Sequence, residues 1–339
     1  MTESKAMILG CAGKALNEDE IRFYRDERPW GFILFARNIG EPSQISDLVA
    51  SMRDAVGRPE APVFIDQEGG RVQRLRPPIA PNYPAGAAVG ALYREDREAG
   101  LRAAWLLARL HAFDLLKFGI TADCLPVLDV PIEGASDVIG SRAYGKDPAT
   151  VTALGRAAAE GLLSGGVLPV MKHMPGHGRA FSDTHFELPT VDTPLDDLRR
   201  HDFAPFRALS HLPIGMTAHV VYAAVDPSAP ATTSEKVVRE IIRGEIGFDG
   251  LLVSDDTSMK ALSGDFPEKA AAILAAGVDI VLHCNGVMDE MAGIASRTLP
   301  LAGRSLQRAE RALAAVKGRD ATAEVQARAE FARYFEAVA

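Results

Sequence analysis

The chain has no apolar run approaching the roughly 18 residues of a membrane-spanning helix, no CxxC pair, and no GxGxxG turn after its first apolar run, where CAGKAL stands instead. The first absence argues against a helical membrane protein. The three cysteines, Cys11, Cys124 and Cys284, lie far apart inside apolar runs. An odd number of thiols without a pairing pattern reads as buried, reduced cysteines and a cytoplasmic location. The missing glycine fingerprint argues against an open dinucleotide-binding sheet, the structural rival of the fold derived below. Concentrated positive charge is also lacking. Lys and Arg are spread in short groups, and the net charge is −8 with 24% charged residues. That pattern offers no nucleic-acid or membrane surface, and mild acidity favours solubility. The opening MTESKAMILGCAGKAL has too brief an apolar run for a signal peptide and reads as a first strand.

What is present is alternation. Eight short apolar or β-branched runs recur, each followed by a helix-length segment: AMILGCAG from Ala6, GFILFARN from Gly31, PVFIDQEGG from Pro62, ITADCLPVLDV from Ile120, VLPVMKHMPG from Val167, IGMTAHVVY from Ile214, LLVSDDTSM from Leu251 and VDIVLHCN from Val278. Alternating β and α units build a parallel sheet. Eight of them without a linker, in 339 residues, predict one closed (β/α)8 barrel of the TIM type spanning residues 1–339 as a single catalytic domain. Between the runs, Leu101, Trp105, Ala108, Ala112 and Leu115 mark one helix face, with Gly119 as a stop. Ser43 is expected to cap the segment ending at Val56. Leu306 to Lys317 and Ala321 to Val338 read as extra C-terminal helices separated by Gly318.

In a barrel the site forms where the strands end. Asp66, Gln67 and Glu68 end the third run, Asp129 the fourth, Lys172 and His173 the fifth, His219 the sixth, Asp255 and Asp256 the seventh, and Asn285 the eighth. Six of eight strand ends thus carry polar or ionisable groups, which favours a site over a set of strand terminators. Strand alternation predicts that only one of Asp255 and Asp256 faces the barrel mouth, the other capping a helix start or pairing with a base. The stretch DQEGGRVQR and Arg142 in VIGSRAYG join acids to guanidinium forks, a mixture suited to a sugar, whose hydroxyls both donate and accept. A surface ion pair is the plainer reading of any one arginine. RPPIAPNYP, from Arg76 to Pro84, reads as a stiff rim wall.

The segment KHMPGHGRAFSDTH, Lys172 to His185, admits three readings. As a metal site it offers His173, His177, Asp183 and His185, with Asp255 nearby, but Pro175 and Gly176 keep His173 and His177 off a shared helical face. As a proton-transfer device, Asp183 holds one nitrogen of His185 and favours its protonated form. As a plain loop, it is a capping aspartate beside an exposed histidine.

Taken together, GFILFARN, DQEGGRVQR, PVLDV, IGSRAYG, KHMPGHG with Asp-Thr-His behind it, and SDDTSM resemble the bacterial β-N-acetylglucosaminidases of glycoside hydrolase family 3, in particular the single-domain cytoplasmic type that recycles cell-wall fragments. The resemblance implies a retaining, exo-acting hydrolase. Its substrates would be GlcNAc linked β-1,4 to anhydro-muramic acid, with or without peptide. Asp255 would be the nucleophile, and His185 the acid/base with Asp183 as its partner. Asp66, Arg74, Arg142, Lys172 and His173 would grip the sugar. Asp129 would orient Arg142 or Lys172, while His177 and His219 would be structural. Ser141 departs from relatives that carry an acid there, which leaves the hold on Arg142 open. No metal, no cofactor and a monomer are expected. A phosphorylase or β-glucosidase of the same family, and a sugar-binding barrel without turnover, are the alternatives.

Overall fold

The computed structural model describes residues 3–181 and 188–335. Each of the eight runs contains a strand: β1 (Lys5–Leu9), β2 (Pro29–Leu34), β3 (Val63–Ile65), β4 (Ala122–Asp123), β5 (Leu168–Met174), β6 (Ile214–Thr217), β7 (Leu251–Val253) and β8 (Val281–His283). They form one parallel sheet in the order β7, β6, β5, β4, β3, β2, β1, β8. A parallel bridge between Val253 and Ile280 joins the outer strands and closes the barrel. That seam also uses side chains: the Leu282 N–H donates to Ser254 Oγ at 2.9 Å, and the Leu252 N–H to Asp279 Oδ2 at 3.0 Å.

Successive strand residues face opposite ways, and the core divides accordingly. Ile8, Ile33, Phe64, Ala122, Val170, Ile214, Met216, Leu251 and Val253 fill the barrel interior. Their neighbours Met7, Leu9, Phe32, Leu34, Val63, Ile65, Met171 and Leu252 pack outward, in a second cluster with helix residues such as Leu48, Leu107 and Leu154. Leu301, Ala309 and Ala312 belong to the interior cluster, so Leu301 and the second half of the first C-terminal helix (Gly303–Ala314) seal the amino-terminal end of the barrel. The Leu301 N–H donates to the Ser4 carbonyl beside β1, which fixes that placement.

Local expectations are corrected in three places. The second helix spans Pro42–Val56 with Glu41 at the N-cap and Pro42 in its first turn, so Ser43 lies inside the helix. Proline is favoured there because its missing N–H would be unpaired anyway. Helix Arg97–Leu116 buries Ala108, Ala112 and Leu115, whereas Leu101 is 37% exposed. The buried face of its first half is instead formed by Gly100, Ala103, Ala104 and Leu107, with Trp105 half-buried. The first C-terminal helix, Gly303–Ala314, is as long as read but begins three residues earlier, and the second spans only Glu324–Phe331 among the described residues.

Candidate active site

A cavity of about 150 Å³ lies at the carboxyl ends of the strands, bordered by Ile33, Phe35, Asp66, Arg74, Arg142, Lys172, His173, His177, Met216, Asp255, Asp256, Leu282 and Cys284 among others. The strand ends bring Asp66, Lys172, His173 and Asp255 around one space, and the loops bring Arg74 and Arg142 to it, so all five residues read as sugar grips meet there. Strand ends and the loop carrying Val138, Ile139 and Arg142 border it.

Its polar wall is one chain of ion pairs. Arg74 Nη2 donates to Asp66 Oδ2 at 2.9 Å, and Lys172 Nζ to Asp66 Oδ1 at 2.9 Å. Lys172 Nζ also lies 2.6 Å from Glu68 Oε1. Glu68 in turn takes both prongs of Arg142, Nε at 2.8 Å and Nη2 at 2.7 Å. Three cations and two carboxylates therefore hold one another nearly out of water. Burial alone would raise the Asp66 carboxyl, yet Lys172 and Arg74 override it and hold it well below the usual range. Burial is overridden likewise at Glu68, where Arg142 and Lys172 bring it down to about 2. On Lys172 the sign reverses: burial would lower the ammonium, and Asp66 and Glu68 raise it above its ordinary value.

Glu68 answers the question left at Ser141. Ser141 is exposed, and Glu68 holds Arg142 from 74 positions away. A signal for it exists in DQE. Asp66 and Glu68 are two apart in extended chain and so share a side, while Gln67 turns inward and is fully buried. The Gln67 Oε1 accepts from the Arg74 and Leu75 N–H groups, both at 3.0 Å, and ties the hairpin formed by Gln67–Gly69 and Val72–Gln73. Gly69 and Gly70 make its turn at φ of +99° and +58°, a region that side chains disfavour.

Asp129 does not orient Arg142 or Lys172. Its Oδ2 is 2.7 Å from His173 Nδ1, and its Oδ1 accepts the N–H groups of His173 at 3.1 Å and His177 at 2.7 Å. One buried carboxylate thus fixes both histidines of KHMPGH. The reason is proximity: residues 125–128 run beside β5 through Val170, Lys172 and Leu128 N–H bonds, so Asp129 ends beside His173. Burial opposes its charge, and His173 nearby brings it down to about 2.

Asp255 and Asp256 both border the cavity, contrary to the alternation argument, because β7 ends at Val253 and the chain has already turned. Their carboxylates are used differently. Asp256 Oδ1 accepts from the N–H groups of Ser258 at 3.0 Å and Cys284 at 3.1 Å, and its Oδ2 accepts from the Ser258 hydroxyl. It caps the turn that follows. Asp255 Oδ1 accepts one N–H, that of Asp256, at 2.8 Å. Burial would raise its carboxyl, but His219, His173 and the Asp256 N–H hold it below the usual range, so it is anionic at neutral pH. His219 is fully buried; its Nδ1 meets Thr232 Oγ1 at 2.8 Å and its Nε2 donates to the Asp256 carbonyl at 3.0 Å. It therefore shapes the turn that carries Asp255.

Asp183 and His185 lie outside the described residues. The chain on either side of them is tied to the barrel. The Ile132 N–H donates to the Gly178 carbonyl and the Ser136 N–H to that of Ala180, while Val221 N–H donates to Pro189. A Cβ at Gly178 would sit 2.1 Å from the Val130 carbonyl oxygen, so only glycine allows this approach. Among the described residues no group of three or more His, Cys, Asp or Glu has metal-holding geometry, and no helix is long and apolar enough to cross a membrane.

Burial pushes the His177 imidazole down to about 4, His173 adding to the effect and Asp129 and Asp255 opposing it. An unfolded histidine titrates near 6.5, so between about pH 6.5 and 4 the unfolded chain binds a proton that the folded chain does not. Stability carried by the neutral ring is complete above about 6.5 and lost as the pH falls to about 4, at up to about 1.4 kcal/mol per pH unit. Glu68 and Asp129 act in a lower window, from about 4 down to about 2, where their depressed carboxyls gain protons. His177→Gln is expected to remove roughly one proton from the slope of urea-unfolding free energy between pH 6.5 and 4.5. An unchanged slope would contradict the buried, neutral ring.

The model of the glycosyl hydrolase family 3 N-terminal domain matches residues 2–313. A β-hexosaminidase of Aromatoleum aromaticum is 38% identical over 82% of this chain and 79% of its own. One of Xylella fastidiosa is 37% identical over 88% and 90%. The crystal structure of NagZ from Neisseria gonorrhoeae, in complex with N-trifluoroacetyl-D-glucosamine, superposes with a TM-score of 0.87 at 31% identity and covers 99% of both chains.

Proposed function

The chain belongs to glycosyl hydrolase family 3 and is a glycoside hydrolase, and on that premise we propose that it is a retaining exo-β-N-acetylglucosaminidase acting on β-1,4-linked GlcNAc at the non-reducing end of cell-wall muropeptide fragments. The observation that carries the reading is the single pocket in which Asp255 faces Asp66, Arg74, Arg142, Lys172 and His173. Carboxylate acceptors and fixed cationic donors suit sugar hydroxyls, which use both. A pocket of about 150 Å³ at the strand ends suits one terminal residue, which supports exo action. The amino-sugar and its acyl group come from the names of the relatives and of the Neisseria complex. Three free, buried cysteines suit the reducing cytoplasm, where such fragments would be met.

In this reaction Asp255 attacks the anomeric carbon as the bond to the leaving oxygen breaks, and the sugar is held as an ester on its carboxylate. His185, paired with Asp183, gives its proton to the leaving oxygen. It then takes one from the water that cleaves the ester and returns Asp255 as a carboxylate. A single imidazole runs both half-reactions because its pKa lies near neutral. Retaining enzymes ordinarily use two carboxyl groups. Here a neutral base avoids a second anion beside Asp255.

Purified protein is expected to release phenol from an aryl β-GlcNAc, with the product sugar first appearing as the β-anomer, and to cleave GlcNAc-anhydroMurNAc. An enzyme that leaves the aryl β-GlcNAc intact while cleaving the β-glucoside sinks the substrate assignment. For His185→Ala, bond cleavage is expected to slow by about 100-fold or more with an alkyl leaving group. With nitrophenolate, which departs without a proton, it slows far less. Equal losses on both substrates would rule out the acid role.

A further inference from the structure

Behind the grip residues sits a buried acid and base that the reaction does not use. Asp123, at the end of β4, and His111, on helix Arg97–Leu116, are both fully buried. Asp123 Oδ1 accepts the Gln67 N–H at 3.0 Å. Its other oxygen faces His111 Nδ1 at 3.5 Å. Among the described residues, that oxygen and both imidazole nitrogens have no hydrogen-bond partner. A buried carboxylate and imidazole with so few partners cost stability, so their retention in the core wants a reason beyond packing. The reason lies at Gln67. The peptide that Asp123 holds is flanked by Asp66 and Glu68, the two carboxylates that set Arg74, Lys172 and Arg142.

We propose that Asp123 and His111 form a positioning pair that fixes the Asp66 to Glu68 segment, and through it the cations that grip the sugar. His111 is braced from its far side. The Tyr83 ring meets it edge-on at 4.8 Å between centroids, and the Tyr83 hydroxyl is held by Asp114 and by Arg328 of the last described helix. The imidazole turns its Nδ1 edge to Asp123, and the carboxylate in turn keeps the Gln67 peptide from rotating. Burial raises the Asp123 carboxyl while His111 opposes it, in keeping with the two groups acting as one unit. The pair contacts no substrate. It acts on binding that ground state and transition state share, so its loss shows in KM more than in kcat.

The inference rests on the proposed sugar pocket, and its test separates the two. Asp123→Ala, which removes the acceptor for Gln67, is expected to raise KM for an aryl β-GlcNAc about 10-fold with kcat within about 3-fold. Asp123→Asn, which keeps an acceptor oxygen, is expected to restore KM to within about 3-fold of the wild type. A folded Asp123→Ala enzyme with wild-type KM overturns the proposal, as does an asparagine variant no better than alanine. If Asp123→Ala does not fold, His111→Phe decides. This change keeps a ring against Tyr83 and removes the nitrogen facing Asp123. A raised KM supports the pair, and a lower melting temperature with unchanged KM overturns it. Should wild type cleave only another aryl β-glycoside, the substrate reading fails, and the same comparison is made on that glycoside.

Discussion

Asp255→Asn is expected to lower kcat by about 10⁴-fold or more, equivalent to about 5 kcal/mol of transition-state stabilisation. Asparagine keeps the size and the acceptor for the Asp256 N–H, so the fold and the grip on the sugar remain. What disappears is the carboxylate oxygen that forms the ester in the proposed reaction. The neighbouring acid does not take over, because Asp256 spends its oxygens on Ser258 and on the Cys284 N–H. Asp256→Asn therefore serves as the control. It keeps an acceptor for the two N–H groups and is expected to retain turnover within about 10-fold of the wild type. The measurement is steady-state hydrolysis of an aryl β-GlcNAc for both variants, with melting curves to confirm folding. If Asp256→Asn is inactive and Asp255→Asn turns over normally, the nucleophile has been misassigned.

The second large effect is expected at Glu68, a residue that makes no bond in the reaction. Removing it leaves Arg142 without its carboxylate and Lys172 with Asp66 alone, in a part of the site where Lys172 and Glu68 are buried. Breaking a buried pair by deleting one partner costs about 3–5 kcal/mol, because the remaining charge is left without compensation. Glu68→Ala is expected to lose that much in urea unfolding. Its kcat/KM should fall about 100-fold as Arg142 and Lys172 swing from their places. Glu68→Gln keeps the shape and one acceptor and should fall between alanine and wild type in both measurements. A Glu68→Ala enzyme with wild-type stability and activity would mean that the network is ornamental.

The fold was legible because its signal is local. Each of the eight apolar runs holds one barrel strand, although ITADCLPVLDV keeps only Ala122–Asp123 as regular strand. The rest of that run still follows β5 by hydrogen bonds, but Pro126 has no N–H with which to continue a ladder. Strand ends also located Asp66, Lys172, His173 and Asp255, since a barrel brings its carboxyl ends to one rim. Partnerships were less legible. Nothing in IGSRAYG points to an acid 74 residues earlier, and nothing in PVLDV says that its aspartate will meet His173 and not Lys172. Such pairings depend on which strands become neighbours and how far each loop reaches. The expectation that only one of Asp255 and Asp256 would face the mouth failed for a related reason, since a period of two applies only while the chain remains a strand, although Asp256 does act as a cap as expected.

The barrel closes at the seam between β7 and β8. The sheet is a ring whose clasp joins one parallel bridge, flanked by the Asp279 and Thr257 N–H bonds to the Leu252 and Leu282 carbonyls, to the side chains of Ser254 and Asp279. Asp255 stands one residue beyond that clasp. Substitution at Ser254 or Asp279 is therefore expected to shift Asp255, the proposed nucleophile, by changing how the ring closes, even though neither residue borders the cavity.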